Sequence, residues 1–188
     1  MPNCKFSDVT NDYLATFSHI LDHMIQEMTD VCIMESISHN FIMQMVPHHQ
    51  AAIRMSENLL QYTTFIPLQE IAKNIISEQT QSIQDMQQIL TCCSKYYNTE
   101  EEQSSYEEKY KEITECMFSG MGNARSTNNI NQNFMREMIP HHLGAIRMSE
   151  NALCYSICPE LNPILQSIIT SQTQGVREMK QLLRQCGG

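Results

Sequence analysis

Adjacent histidines occur twice in this sequence, at His48-His49 and His141-His142, each pair preceded by a Met-x-Pro tripeptide and followed by a further methionine. Placed on a helix, Met45, His48, His49, Ala52 and Met55 trace one face, and Met138, His141, His142, Ala145 and Met148 repeat the pattern. Two imidazoles and two thioethers then project toward the same neighbours in each stretch. Soft thioethers select Cu(I) or Ag(I), and imidazole suits copper well. Other metals fit less well. The stripe carries no carboxylate for Mg²⁺ or Ca²⁺, no closed Cys/His set for structural Zn²⁺ and no Glu-x-x-His signature of a di-iron bundle. The competing reading is a pair of hydrogen-bonded histidines in a helical core.

The two stretches belong to a longer repeat. Sliding the chain over itself by 93 residues lays FIMQMVPHHQAAIRMSENLL, from Phe41, on FMREMIPHHLGAIRMSENAL, from Phe134, with 13 of 20 positions identical. The register continues without a gap through Ile75/Ile168, Gln79/Gln172 and Met86/Met179. Upstream it includes Tyr13/Tyr106, Ile20/Ile113, Met24/Met117 and Met28/Met121, and at the far end Cys93/Cys186. We therefore expect two tandem helical domains, 1–93 and 94–188, joined near Ser94–Gln103, where Glu100, Glu101 and Glu102 suggest a solvated connector. The period is too long for a solenoid unit.

Ten of the fourteen methionines pair across this register: 24/117, 28/121, 45/138, 55/148 and 86/179. A core needing only volume can exchange apolar residues freely, and the chain does exchange Val46 for Ile139 and Ile89 for Leu182. The paired methionines are not exchanged, which favours a need for sulfur over simple gap filling. Gln79 and Gln172 stand in otherwise apolar stripes. A buried amide needs partners, and the expected role of each is to orient an imidazole of the neighbouring His pair.

Positioning these residues requires three helices per copy. Apolar periodicity predicts helices over about Asp8–Met34, His39–Tyr62 and Pro67–Ser94, with counterparts in the second half. Ser38 and Asn131 are the expected caps of the second helix of each copy. Gly120 and Gly122 should shorten or fray the fourth helix. Pro47 and Pro140 either bend their helices or begin them. His19 and His23, four apart, read as an exposed helix face rather than ligands. Arg54 and Arg147, with Glu57 and Glu150, are expected to form solvated or inter-helix ion pairs, each worth little. The thiols of Cys92, Cys93, Cys154 and Cys158 could ligate a metal, but only Cys93 is mirrored. Nothing reads as a strand. The expected fold is all-α, two three-helix repeats packed about a pseudo-two-fold, completing a four-helix bundle within the chain or through a homodimer.

Composition narrows the function classes. A net charge of −9 and pI near 5.2 disfavour nucleic acid and anionic membrane surfaces. No apolar run is long enough for a membrane span. The start, Met1-Pro2-Asn3-Cys4-Lys5-Phe6-Ser7, lacks the pattern of a secretory signal, and eight cysteines then suggest reduced thiols and a cytoplasmic location.

The motif Phe-x-x-x-Met-[Val/Ile]-Pro-His-His-x-x-Ala-Ile-x-Met, followed by Ile-Ile-x-x-Gln-x-x-x-x-x-x-Met, resembles the family designated domain of unknown function 305. Phe41–Met55 with Ile75–Met86 and Phe134–Met148 with Ile168–Met179 carry the match. The resemblance implies a ferritin-like helical bundle and copper binding, storage or buffering, as in members associated with copper tolerance. By position it implicates Met45, His48, His49 and Met55 with Met138, His141, His142 and Met148; the paired Met86 and Met179 are added from the repeat. Family members often carry Asp where this chain has Ser38 and Asn131. Two alternatives stand beside a non-catalytic copper protein: a redox enzyme on a ferritin-like scaffold, and a methionine-rich module that docks a partner helix without metal. The first lacks a carboxylate–histidine cluster or nucleophile–base pair in the sequence.

Overall fold

The computed structural model describes residues 6–185, and Cys186 lies outside them. Six helices follow one another: α1 (Asp8–Thr29), α2 (Ile37–Leu60), α3 (Ile66–Cys93), α4 (Glu100–Gly122), α5 (Ile130–Ala152) and α6 (Asn162–Gln185). No strand occurs among the described residues. The fold is all-α, as expected.

The central pair is α2 and α5. They pack on each other, α1 and α3 flank α2, α4 and α6 flank α5, and α1 faces α4 while α3 faces α6. Two four-helix groups, α2–α3–α5–α6 and α1–α2–α4–α5, thus share the same two central helices within one chain. This position explains their sequences. Both bury residues around most of their circumference, including the polar Asn40, Gln44, Ser56 and Asn58 of α2 and Asn133, Glu137, Ser149 and Asn151 of α5.

Residues 93 apart make matching bonds. The Asn58 amide donates to the Tyr13 carbonyl and the Asn151 amide to that of Tyr106, both at 3.2 Å. Asn40 closes a loop onto both backbone groups of Met34, and Asn133 does so with Thr127. Tyr13 meets Tyr62 edge-on, as Tyr106 meets Tyr155.

Several local expectations are corrected. The N-caps of α2 and α5 are Ser36 and Asn129, whose side chains accept from the backbone N–H of His39 and Gln132; Ser38 and Asn131 lie inside the helices. α1 ends at Thr29 rather than near Met34, because Asn40 holds the segment after it in a non-helical turn. α4 is not shortened: Gly122 is its last residue, and Gly120 packs on Pro140, where a Cβ would stand 3.1 Å from the proline Cβ. Glu100, Glu101 and Glu102 are its first turn. Thr99 and Glu102 close a reciprocal capping box there, and the carboxylates complement the positive end of the helix dipole. Arg54 contacts His23 and Arg147 contacts Cys116, rather than Glu57 and Glu150. No helix of the described residues is long and apolar enough to cross a membrane.

Candidate metal centre

Pro47 and Pro140 lie inside α2 and α5, not at their starts. Each removes the N–H that would bond four residues back, to Met43 or Arg136. The next residues, His48 and His141, meet where the central helices cross. Their rings stack with centroids 3.6 Å apart and planes 27° from parallel. The His48 Nε2 lies 3.2 Å from the His141 carbonyl, and the His141 Nε2 lies 3.1 Å from the His48 carbonyl. A carbonyl only accepts, so each Nε2 carries the hydrogen and each Nδ1 keeps a free lone pair.

His49 and His142 flank this stack, with ring centroids 5.8 and 5.9 Å from those of His48 and His141. All four imidazoles are essentially inaccessible, and the Nδ1 of every one is buried without a hydrogen-bond partner. Burial holds the rings neutral, reinforced by repulsion from neighbouring imidazoles at His48, His49 and His142: His49 is pushed down to about 3, His141 to about 4, and His48 and His142 well below the ordinary histidine value. Neutral imidazole is the form that ligates metal.

The methionines that are candidate soft donors lie inside the same core. Met45, Met55, Met86, Met138, Met148 and Met179 are all buried, as are Met24, Met28, Met117 and Met121. Met117 packs directly over Gly144, two residues after His142, where a methyl group would overlap its sulfur. His19 and His23 stay outside: His19 is exposed and His23 pairs with Glu27 at 2.9 Å. No three imidazoles bring their nitrogens mutually within 4.8 Å. The four imidazoles therefore do not form a closed histidine cage.

Gln79 and Gln172 do not act as expected. Both are buried and line the two grooves between α3 and α6, but no hydrogen bond joins either to an imidazole, and each Oε1 lacks a partner. Ser82 instead reaches His49, its hydroxyl 3.1 Å from Nε2. The corresponding residue on α6 is Gly175, where a Cβ would stand 3.0 Å from His142 Cδ2 and 3.1 Å from Nε2. One groove thus ends on a hydroxyl-capped imidazole and the other on a ring packed against bare backbone. The exchange of Ser82 for Gly175 between aligned positions was the available sequence signal.

The family model for the domain of unknown function DUF305 matches residues 37–183. The chain belongs to this family. Among solved structures, CopM in an Ag-bound form is similar with a TM-score of 0.62 and 28% identity, covering 82% of this chain and all of CopM. The Cu(I)-bound form of CopM gives 0.58 and 28%, over 80% of this chain and 98% of that one. A DUF305 fragment from Deinococcus radiodurans, 20% identical with a TM-score of 0.58, covers 79% of this chain and 96% of its own, and shares the fold. No curated protein matches the sequence.

Proposed function

We propose that this chain binds Cu(I), with Ag(I) as its chemical equivalent, through the imidazole Nδ1 atoms of His48, His49, His141 and His142 and thioethers from Met45, Met55, Met86, Met138, Met148 and Met179. Four buried Nδ1 atoms without partners carry this reading, and at His48 and His141, whose Nε2 faces a carbonyl, that atom is a free lone pair. An unpaired buried donor or acceptor costs about 1–3 kcal/mol, and four in one compartment are difficult to explain by packing alone. The surrounding donors are soft sulfurs, which match Cu(I) rather than a hard cation. The metal-bound forms of CopM, a similar protein, support the same chemistry.

The role we assign is copper buffering or storage, without catalysis. The described cysteines are all free, four of them exposed, which suits a reducing compartment such as the cytoplasm. Gln79 and Gln172 would contribute by presenting unsatisfied amide oxygens at the groove floors.

The test is anaerobic Cu(I) titration against a chromogenic competitor. Wild type should take up at least one Cu(I) per half of the chain. Replacing His48, His49, His141 and His142 by Ala should abolish tight binding. A Met45→Leu/Met138→Leu variant, which conserves volume but removes sulfur, should weaken binding while keeping the helical circular-dichroism spectrum. Unchanged affinity in both variants would refute the assignment.

A further inference from the structure

A second set of donors lies where the end of α3, the start of α2 and the α5–α6 connection meet. The Ser36 hydroxyl donates to the Cys93 carbonyl at 2.7 Å, the Cys158 N–H donates to the Ser38 hydroxyl at 2.9 Å, and Asn98 bridges the Ile37 N–H to the Ser156 carbonyl. These bonds hold the Cys158-Pro159-Glu160 segment against the α3 terminus. There the sulfurs of Cys92 and Cys158 and a carboxylate oxygen of Glu160 all lie within 4.8 Å of one another. The Cys158 S–H donates to Glu160 Oε2 at 2.9 Å. Cys158 is buried and Cys92 is exposed, so the set has one anchored sulfur and one open side.

We propose that Cys92, Cys158 and Glu160 form a Zn²⁺ site that staples the end of α3 to the α5–α6 connection. Two sulfurs and one carboxylate oxygen are ligands that zinc accepts together, at about 2.3 Å and 2.0–2.2 Å. A tetrahedron with such bonds sets its ligand atoms about 3.3–3.8 Å apart, well inside the observed spread. Hard cations are excluded by the thiolates, and the carboxylate oxygen distinguishes this set from the all-soft donors of the helical core. Water can fill the fourth position. On binding, the Cys92 and Cys158 thiols each release one proton to solvent, and zinc takes the place of the hydrogen now shared between Cys158 and Glu160.

The site does not belong to the repeated pattern. Positions 93 away from Cys92, Cys158 and Glu160 hold Gln185, Phe65 and Pro67, none of which supplies a thiolate or carboxylate. Cys154, which the sequence groups with Cys158 at helical spacing, instead donates to the Glu150 carbonyl and stands apart. The proposal does not rest on copper binding by the core.

Co²⁺ titration of the full chain under anaerobic, reducing conditions tests it. Wild type should bind one Co²⁺ with a thiolate-to-cobalt charge-transfer band, and one equivalent of Zn²⁺ should displace it. The same band should persist in the four-histidine variant, which separates this site from the core. Cys92→Ser, at an exposed position that tolerates the change, should abolish the band, Glu160→Gln should weaken zinc at least about 10-fold, and Cys154→Ser should leave both unchanged. Wild-type binding without a thiolate band, or a Cys92→Ser variant with wild-type affinity and band, would overturn the proposal.

Discussion

Glu137 is the buried carboxyl at the centre of the fold, and its replacement by Gln gives a sharp test of the structure. Its Oε2 accepts from the Tyr13 hydroxyl at 2.6 Å. Ninety-three residues earlier the chain has Gln44, whose Oε1 accepts from the Tyr106 hydroxyl at 2.9 Å. The molecule thus contains both the carboxyl and the amide version of one contact. Burial pushes Glu137 up to about 7, and the tyrosine bond, which favours the carboxylate, offsets only part of that rise. In the unfolded chain the same group titrates near the reference value of 4.5. Between these values the folded protein retains a proton that the unfolded chain has released. Stability from this group is therefore full below about pH 4.5, falls as pH rises toward about 7 and is flat above. A gap of about 2.5 in pKa corresponds to about 3 kcal/mol.

The buried histidines act in the opposite sense. Their folded values are depressed, so stability is lost as pH falls below the unfolded value of 6.5 and the unfolded chain takes up protons. The wild-type curve alone mixes the two slopes. The difference between Glu137→Gln and wild type cancels the histidines. Thermal melts of metal-free protein from pH 4.5 to 8 should show the variant near wild type at the acid end. It should gain about 3 kcal/mol on wild type by pH 8, or roughly 6–12 °C in Tm for a chain of this size. A difference that stays flat with pH, or one that turns against the variant at high pH, would refute a neutral, buried Glu137 and with it the Tyr13–Glu137 contact between α1 and α5.

Two further outcomes check the site. In ¹H–¹⁵N spectra of the imidazole side chains, His48 and His141 should appear as neutral Nε2–H tautomers, and none of His48, His49, His141 and His142 should titrate between pH 5 and 8; a midpoint near 6.5 for any of them would contradict its burial. Gly144→Ala should destabilise the fold by about 1–3 kcal/mol by chemical denaturation, despite alanine's better helix propensity, because the new Cβ would also stand 2.8 Å from Met117 Cγ and 3.2 Å from its Cβ, so the whole side chain must rotate. Stabilisation instead would mean that Met117 is free to leave.

The all-α architecture and the inward face of the His-Met stripe were legible because both depend on local periodicity. Every methionine and histidine named as a ligand candidate on that basis is buried. Neighbours across helices were not legible. Ser82 meets His49 only because α3 lies along α2 at that height, and Cys158 meets Cys92 only because the α5–α6 connection folds back to the end of α3. Gln79 and Gln172 show the reverse case: a polar residue in an apolar stripe was assigned to the nearest known need, an unoriented imidazole, whereas the structure gives His49 the Ser82 hydroxyl and packs His142 against Gly175. The caps were displaced by two residues because Ser36 and Ser38 are equally good acceptors. Tertiary contacts decide between them: Ser38 is engaged by the Cys158 N–H, which leaves Ser36 to begin α2.

The differences between aligned positions also bear on how the proposed metal site would work. The shared residues, Met-x-Pro-His-His with its following methionine, build the stacked pair that each half completes with a carbonyl from the other. Neither His48 nor His141 has that Nε2 acceptor without its counterpart, so the orientation of both Nδ1 lone pairs depends on α2 and α5 together. The exchanged residues lie one layer out: Gln44 for Glu137 beneath the stack, Ala51 for Gly144 beside Met117, and Ser82 for Gly175 over the outer imidazoles. The stacked histidines are thus a matched inner pair with unlike surroundings in the two halves. If the core binds Cu(I) as proposed, successive ions should bind with unequal affinities, and the competitor titration would then resolve two steps rather than one.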